Sequence, residues 1–249
     1  MLDDYVTRTQ RLLQNPAPAQ GLYSTSLIED YVNIARKQLA GEAQCIRRIG
    51  TIPTAINQRE YSFADIDFGS VAGIAGAYNI RRINYGLGDG QQYIAPRPWE
   101  WFDQYCLNNP VPIDYSATPG ASPPTSWAQY GQGSAAPTGG SSQSGSFFLD
   151  PIPTQVFTLY CDCVCYPITL ADDTTVEAIP YPYTDAVPFF ATYYALLGSQ
   201  TQARRADAEA YYGYYQTFLT RARNISNAAV LTWQYELADD PAQNGKAGR

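Results

Sequence analysis

Two pairs of carboxylates are the side chains with the clearest catalytic potential in this sequence. Asp65 and Asp67 are one residue apart in a segment that alternates like a strand, so both carboxylates are expected on one face. Asp172 and Asp173 are adjacent. Glycosidases and metal-dependent nucleases use paired carboxylates. A surface strand followed by a turn gives the same pattern, and we favour that structural interpretation.

Three cysteines alternate along another segment and resemble a metal-binding motif. These are Cys161, Cys163 and Cys165. Alternate residues of a strand lie about 6.6 Å apart, whereas two thiolates on tetrahedral zinc need sulfurs about 3.8 Å apart. The neighbouring Leu159 and Tyr160 favour an uninterrupted strand. We therefore predict three thiols on one buried face and no metal site.

Other catalytic groups are scarce. The chain has no histidine, which removes Ser-His-Asp and Cys-His arrangements and most zinc sites. The glycines of the segment 86–90 are not followed by Lys-Ser or Lys-Thr, so we predict a hairpin turn and not a phosphate-binding loop. The sequence therefore predicts no catalytic residue, no cofactor and no metal, and we expect that the chain is not an enzyme. A carboxylate-dependent glycan hydrolase stays open as an alternative.

Composition limits the partners. The net charge of −7 argues against tight general binding of nucleic acid, although an acidic wall would let DNA slide past. The 21 tyrosines suit surfaces that a partner covers, and they suit equally a core with hydroxyls at its edge. Five cysteines, no signal-peptide pattern and no apolar run of about 20 residues predict a reduced protein made in a cytoplasm, with no membrane contact.

Helical patterns occupy both ends of the chain. We predict a short helix from Leu2 to Gln14 and a second helix that begins with a capping box of Ser26 and Glu29. Leu27, Tyr31, Ile34, Ala35 and Leu39 form its apolar face. A third helix begins near Asp185, and a fourth runs from Thr201 to Asn224. The aromatic second half of the fourth helix predicts packing on more than one side, with a candidate subunit interface at Tyr211, Tyr212, Tyr214 and Tyr215.

The middle of the chain has strand and turn patterns. Strands are predicted over 47–54, 60–68, 78–85, 92–95, 147–149 and 155–166, with a short helix over 98–107. The segment 108–146 is rich in Pro, Gly and Ser and is predicted as a long loop. The predicted fold class is α+β, in which residues 1–46 and 184–225 form a helical bundle. Residues 47–183 are a β-rich insertion, and 226–249 are a C-terminal tail.

The two ends of the chain resemble a known family. The opening "LDDYVTRTQRLLQ", followed by "YSTSLIEDYVNIARKQLA", is similar to the start of phage head-to-tail adaptors, also called connector or gatekeeper proteins of short-tailed phages. The segment "IPYPYTDAVPFFATYYALLGSQTQARRADAEAYYGYYQTFL" resembles their closing helix pair.

The middle of the chain carries the same resemblance. The strands "REYSF" and "YNIRRINY", followed by the Trp-rich "PRPWEWFDQY", are similar to the central domain of these adaptors. So is "FFLDPIPTQVFTLYCDCVCYP". The resemblance covers about Leu2 to Ala222.

This resemblance implies a structural virion protein of the head-tail neck, assembled in the host cytoplasm. It implies a homo-oligomeric ring, usually of twelve copies, which joins the portal protein to the next tail or nozzle protein. Double-stranded DNA would pass through the ring without specific binding. The C-terminal segment of such adaptors often docks on the portal, which here gives Trp233, Tyr235 and Leu237 as anchors. A distal tail or receptor-binding component is the other alternative.

Overall fold

The computed structural model describes residues 1–14, 22–86, 92–107, 123–131, 145–181, 183–198 and 202–238, with side chains omitted at 106–107, 202–203 and 227–238. The chain divides into two compact units. The helical unit consists of Met1–Cys45, Leu170–Thr174 and Ile179–Arg249, and the sheet unit consists of Ile46–Thr169 and Thr175–Ala178.

The described residues contain five α-helices and seven strands. The helices are α1 Leu2–Leu12, α2 Thr25–Ala43, α3 Trp99–Phe102, α4 Ala186–Leu197 and α5 Gln202–Ala238. The strands are β1 Arg47–Pro53, β2 Glu60–Ser62, β3 Ile74–Tyr85, β4 Gln92–Pro96, β5 Ser126–Tyr130, β6 Ser146–Asp150 and β7 Thr158–Pro167.

The core of the helical unit lies around α4, which contacts α1, α2 and α5. The mostly apolar sequence of α4 explains this central position, because an almost wholly apolar helix needs neighbours on several sides. Val187 and Ala191 of α4, Ile28 and Val32 of α2 and Tyr215 of α5 are fully buried.

The segment 170–174 is bound to α2 through the side chain of Asn33. Its amide nitrogen donates to the carbonyl of Leu170 over 3.1 Å, and the N–H of Leu170 donates to its Oδ1 over 2.9 Å. The neighbouring guanidinium of Arg36, only 1% exposed, donates to the same Oδ1. Since both polar groups of the amide are used, a buried asparagine is stable here.

Ser24 caps α2. Its side chain accepts a hydrogen bond from the N–H of Leu27 over 3.3 Å, and helix α2 begins at Thr25. The predicted capping box at Ser26 and Glu29 is therefore wrong by two residues. Local sequence patterns locate a helix cap only approximately, because either of two nearby serines, Ser24 or Ser26, can accept a hydrogen bond from a free N–H of the first turn.

The sheet unit is built on seven strands in the order β1-β7-β3-β4-β5-β6-β2. All strand pairs are antiparallel except β4 with β5, which is parallel. The register places Cys161 opposite Ile83 and Cys163 opposite Ile80, so these side chains share one face. All four are buried and form part of the core of this unit.

The sheet curls so that the chain after β2 meets the open edge of β1. Thr51 and Asp67 exchange two backbone hydrogen bonds of 2.8 Å. A Cβ placed on Gly50 would lie 2.3 Å from Cγ2 of Ile66 and 2.9 Å from a ring carbon of Phe68. Glycine at position 50 is therefore what allows the returning segment to lie so close to β1.

The mixture of helices and strands is as predicted, but the predicted fold class is wrong in its architecture. The organising element is a curled seven-stranded sheet, with helices that are not simply a bundle from the two chain ends. Helix α3 lies between β4 and β5, and the residues 170–174 belong with the helices. Periodicity identifies the type of an element, whereas its packing partners depend on residues far away in the sequence.

Three elements differ in extent from their predictions. Strand β5 lies inside the segment predicted as the long loop 108–146, where Trp127 is buried. The predicted strand 60–68 is only three residues of β2, followed by a 3-10 turn over Phe63–Asp65. Helix α5 continues to Ala238, so the first half of the predicted tail is helical. The rest of that loop, 108–122 and 132–144, and residues 239–249 lie outside the described residues.

Candidate interaction surfaces

Asp65 and Asp67 do not form a carboxylate pair on a strand. Asp65 ends the 3-10 turn and is exposed. The Oδ1 of Asp67 accepts a hydrogen bond from the N–H of Gly69 over 2.7 Å, in the turn that follows the bridge to β1. Both residues are at the surface, but the surface strand that we favoured is wrong, because Asp65 lies in a 3-10 turn and Asp67 in an isolated bridge. Asp67 helps to shape the chain reversal.

The carboxylates of Asp172 and Asp173 also form hydrogen bonds and an ion pair that stabilise the fold. Asp172 accepts from the N–H and the hydroxyl of Thr174 over 3.0 Å and 2.8 Å. One oxygen of Asp173 lies 2.6 Å from the N-terminal ammonium of Met1 and accepts from the N–H of Asp3. The hydrogen bond from this ammonium, followed by that from the Asp3 N–H, lowers the pKa of Asp173 to about 2. These contacts attach the start of α1 to the segment 170–174.

The three alternating cysteines lie on one buried face of the continuous strand β7, as predicted. Burial raises the pKa of Cys161 and Cys165 to about 12 and raises that of Cys163 further. The thiols are therefore protonated at neutral pH and act as small apolar side chains. Within the described residues, no group of three or more His, Cys, Asp or Glu side chains is placed to hold a metal ion.

The glycine-rich segment joins β3 to β4, which pair antiparallel from Ile83↔Ile94 to Tyr85↔Gln92. This pairing confirms the hairpin. Residues 87–91 of the turn lie outside the described part. Two arginines of the sheet unit find partners within the unit: Arg47 bonds to Asp162, and the guanidinium of Arg82 bonds to Asn84 and lies 5.1 Å from the ring of Tyr93.

The four tyrosines of α5 lie on different sides of the helix. Tyr215 is fully buried, and Tyr211 is half-buried and donates a hydrogen bond of 3.1 Å to the carbonyl of Leu12. Tyr212 packs against Tyr193 with ring centroids 4.8 Å apart, and Tyr214 is 57% exposed. Of these four residues, only Tyr212 and Tyr214 therefore have exposed rings.

Tyr215 joins α5 to the end of α2. Its hydroxyl donates to Oε2 of Glu42 over 3.0 Å, and Nε of Arg223 donates to the carbonyl of Glu42 over 2.9 Å. Burial, followed by the nearby negative charge of Glu42, raises the pKa of Tyr215. The tyrosine therefore stays neutral and serves as a hydrogen-bond donor inside the helical unit.

The helical unit has a cleft of about 390 Å³, which we call the α1–α4–α5 cleft. It is lined by Arg8, Arg11, Leu12, Asp185, Pro188, Phe189 and Phe218. The rings of Phe189 and Phe218 stack with centroids 5.4 Å apart and form an apolar floor. Arg8 is neutralised at the rim by Asp185 at 2.9 Å and by Asp4 at 3.2 Å.

A further arginine, Arg221, contacts one of the phenylalanines that line the cleft. The guanidinium of Arg221 lies 5.9 Å from the ring centroid of Phe218. Arg11 and Arg221 form no ion pair with any described residue, whereas the salt bridges of Arg8 leave it no free charge. The cleft therefore combines an apolar floor with two arginines that have no described ion-pair partner. Because Asp4 and Asp185 both bind Arg8, the three arginines and two aspartates around the cleft leave a net charge of +1. Sequence patterns missed it because its lining comes from three helices, and the only local signal is the Arg-x-x-Arg-Leu of α1.

A second surface of the helical unit is also apolar and exposed, and we call it the α2 ridge. It consists of Leu27, Asp30, Tyr31 and Ile34 of α2 together with Tyr194 of α4. Leu27 and Ile34 are 36% and 38% exposed, and Tyr194 is 41% exposed. The rings of Tyr31 and Tyr194 meet edge to face at 5.4 Å. The sequence placed Leu27 and Ile34 on the apolar face of α2, but no described element covers them.

The predicted portal anchors Trp233, Tyr235 and Leu237 lie in the last turns of α5, and their side chains are outside the described residues. Among the helices that the structure describes, none is both long enough and apolar enough for a membrane span.

Comparison with protein families gives a match. The family model described as SU10 adaptor protein matches residues 2–239, which is nearly the whole chain. A search among curated proteins finds no match.

Proposed function

The chain belongs to the SU10 adaptor protein family, and from this premise we propose that it is the adaptor of a phage neck, forming a ring that joins the portal to the tail. The resemblance to phage head-to-tail adaptors is confirmed by this family membership. The observation that carries the proposal is the extent of the match, because residues 2–239 include both the helical unit and the sheet unit.

Two features of the molecule support an assembly role. The carboxylate pairs and the thiols, which are the groups with catalytic potential, serve turns, the start of α1 and the core. The helical unit exposes two apolar surfaces at once, the α1–α4–α5 cleft and the α2 ridge. A subunit of a closed ring needs two different contact surfaces, since a head-to-tail interface joins unlike patches.

The ring has two protein neighbours in this proposal. The end of α5, with Trp233, Tyr235 and Leu237, docks on the portal protein, and the opposite side of the ring receives the next tail or nozzle protein. Double-stranded DNA passes through the channel without specific binding, which agrees with the net charge of −7.

Mass measurement tests the proposal. The purified chain, alone and mixed with its portal protein, is examined by native mass spectrometry and by electron-microscopic projection. We expect a cyclic ring, of twelve copies in the virion. A strict monomer under both conditions contradicts the proposal, and a trimer points to a distal tail component.

A further inference from the structure

The two exposed apolar surfaces of the helical unit face different directions. Phe189 of the α1–α4–α5 cleft and Tyr194 of the α2 ridge are five residues apart on α4, which is about 140° around the helix axis. The two surfaces therefore cannot meet within one copy. A contact between the cleft of one copy and the ridge of another is of the head-to-tail type that continues around a ring.

The ridge is a continuous stripe along α2. Leu27, Asp30, Tyr31 and Ile34 are spaced by three or four residues, so they fall within about 100° of the helix surface. This stripe lies beside the buried face of α2, which includes Ile28, Val32 and Leu39. The helix therefore has more apolar surface than the described residues of its unit bury. Its exposed aliphatic side chains are of a size to enter a cleft of about 390 Å³.

The charges of the two surfaces are complementary. Asp30 is exposed on the ridge and forms no ion pair with a described residue, and Arg11 and Arg221 at the cleft likewise have no described ion-pair partner. Lys37, the next charged residue on this side of α2, is seven residues beyond Asp30, or about 10 Å along the axis. The carboxylate that accompanies Leu27 and Ile34 is therefore that of Asp30.

A chain of net charge −7 also repels its own copies, except where positive charge is concentrated. The cleft is such a place, because Arg11 and Arg221 flank an apolar floor of phenylalanine rings. Its chemistry suits an acidic partner that presents an apolar side chain next to a carboxylate. A second copy of this chain offers that combination at the ridge.

We propose that the α1–α4–α5 cleft binds the α2 ridge of a second copy, with Leu27 and Ile34 against Phe189 and Phe218 and with Asp30 beside Arg11 and Arg221. This inference rests on the proposed function and gives the ring one of its subunit contacts. Burial in the complex strengthens the charge pairing, and the repulsion between like charges in any other alignment sets the register.

Substitutions that reverse the charge of a side chain test the contact. Arg11→Glu and Asp30→Arg each bring like charges together, and each is expected to raise the protein concentration for half-assembly by about tenfold or more. The double variant Arg11→Glu with Asp30→Arg restores opposite charges and is expected to recover most of the assembly. The measurement is the ring fraction against concentration by mass photometry, on the full chain.

A matched control is Arg205→Glu. This residue is exposed on α5, 16 positions before Arg221 and so about 160° away around the helix. We expect it to assemble like the wild type. A second variant, Leu27→Ser with Ile34→Ser, removes the two aliphatic side chains of the ridge, which are both exposed, and is expected to weaken assembly as well. Far-UV circular dichroism checks that every variant is folded.

The possible outcomes separate this inference from the proposed function. A ring that forms normally in Arg11→Glu, Asp30→Arg and the double serine variant overturns the cleft-to-ridge contact and leaves the adaptor role standing. Normal rings in Arg11→Glu that no longer bind the portal protein show a different occupant of the cleft and also overturn it. A wild-type chain that stays monomeric with portal present contradicts both proposals.

Discussion

At the residue scale, the polar groups with unusual environments stabilise the helical unit. Tyr215 is fully buried, but its hydroxyl has a carboxylate partner in Glu42, and Arg223 binds the carbonyl of the same residue. Asn33 and Asp173 hold the segment 170–174 against α2 and the start of α1 in the same manner. Each of these side chains is buried or has a shifted pKa because of a contact that stabilises the fold. An abnormal pKa here therefore does not identify a catalytic residue.

The hydroxyl of Tyr215 is expected to contribute measurably to stability. Tyr215→Phe removes its bond to Glu42 and should lower the free energy of unfolding by about 1 to 2 kcal/mol, because hydrogen bonds to charged groups are stronger than neutral ones. Urea unfolding followed at 222 nm measures this change. Tyr212→Phe is the control, since its hydroxyl bonds to no described residue, and it should change stability by less than about 0.5 kcal/mol. Equal effects of the two substitutions would contradict the role of the Tyr215–Glu42 bond.

Asp173 is expected to titrate near pH 2. Its folded pKa is lowered from 3.8 to about 2, chiefly by the ammonium of Met1, so its stabilising effect is complete above about pH 4. That effect is lost as the pH falls from about 4 to 2. The pKa of Asp3 is raised, mainly by its hydrogen bond with Asp173, so the Asp3 contribution has the opposite sign and offsets part of the loss.

Titration by NMR of the carboxyl carbons gives both values directly, and Asp173→Asn should return the pKa of Asp3 toward 3.8. A wild-type Asp173 that titrates at its ordinary value would show that the contact with the N-terminus does not form in solution.

At the element scale, close approach of two chain segments explains the curled sheet. The segment that contains Ile66 and Phe68 crosses next to β1 directly over Gly50, and the bridge between Thr51 and Asp67 fixes it there. The sequence of β1 alone gives no sign of this crossing, because a glycine inside a strand has several possible causes.

Substitution of Gly50 is expected to destabilise the sheet unit. Gly50→Ala places a Cβ 2.3 Å from Ile66, and the necessary shift should cost about 1 to 3 kcal/mol, with Gly50→Val more damaging. Scanning calorimetry measures the unfolding temperature. Gly213→Ala on α5 is the control, because a Cβ there meets nothing within 4 Å and should stabilise its helix by about 0.5 to 1 kcal/mol. A neutral Gly50→Ala would show that the returning segment is looser than the structure has it.

At the scale of the whole molecule, the proposed adaptor role depends on surfaces that the described residues leave uncovered. Helix α5 spans 37 residues, roughly 55 Å. Among the side chains that the structure describes, Ala222 is the last one of α5 that is fully buried. The remaining turns carry the proposed portal anchors.

Truncation after Ile225 is therefore expected to separate folding from attachment. The shortened chain should keep the helical unit, since Tyr215, Leu219 and Ala222 remain in place, and it should bind the portal protein more weakly. Pull-down with purified portal measures attachment, and the triple variant Trp233→Ala, Tyr235→Ala, Leu237→Ala tests the anchors without shortening the helix. Unchanged binding by both proteins would contradict portal docking by the end of α5.

Local sequence patterns were enough to predict the types of most elements and the burial of the three cysteines of β7. The apolar spacing of α2, the alternation of β7 and the prolines and glycines of the turns are local signals, and the protonated thiols of β7 follow from that alternation. The resemblance to phage adaptors was also readable in the order of elements, and the family match confirms it.

Which surfaces are covered depends on tertiary packing and could not be predicted from local sequence patterns. Strand β5 lies in a segment whose composition predicts a loop. Its pairing with β4 and β6 outweighs the weak strand preference of its own residues. Leu27 and Ile34 of α2 are not covered by any described residue, although they lie on the predicted apolar face of that helix. Arg11, Phe189 and Phe218 come together from three helices. Periodicity reports only that a face is apolar, whereas the neighbour that covers it depends on residues far apart in the chain.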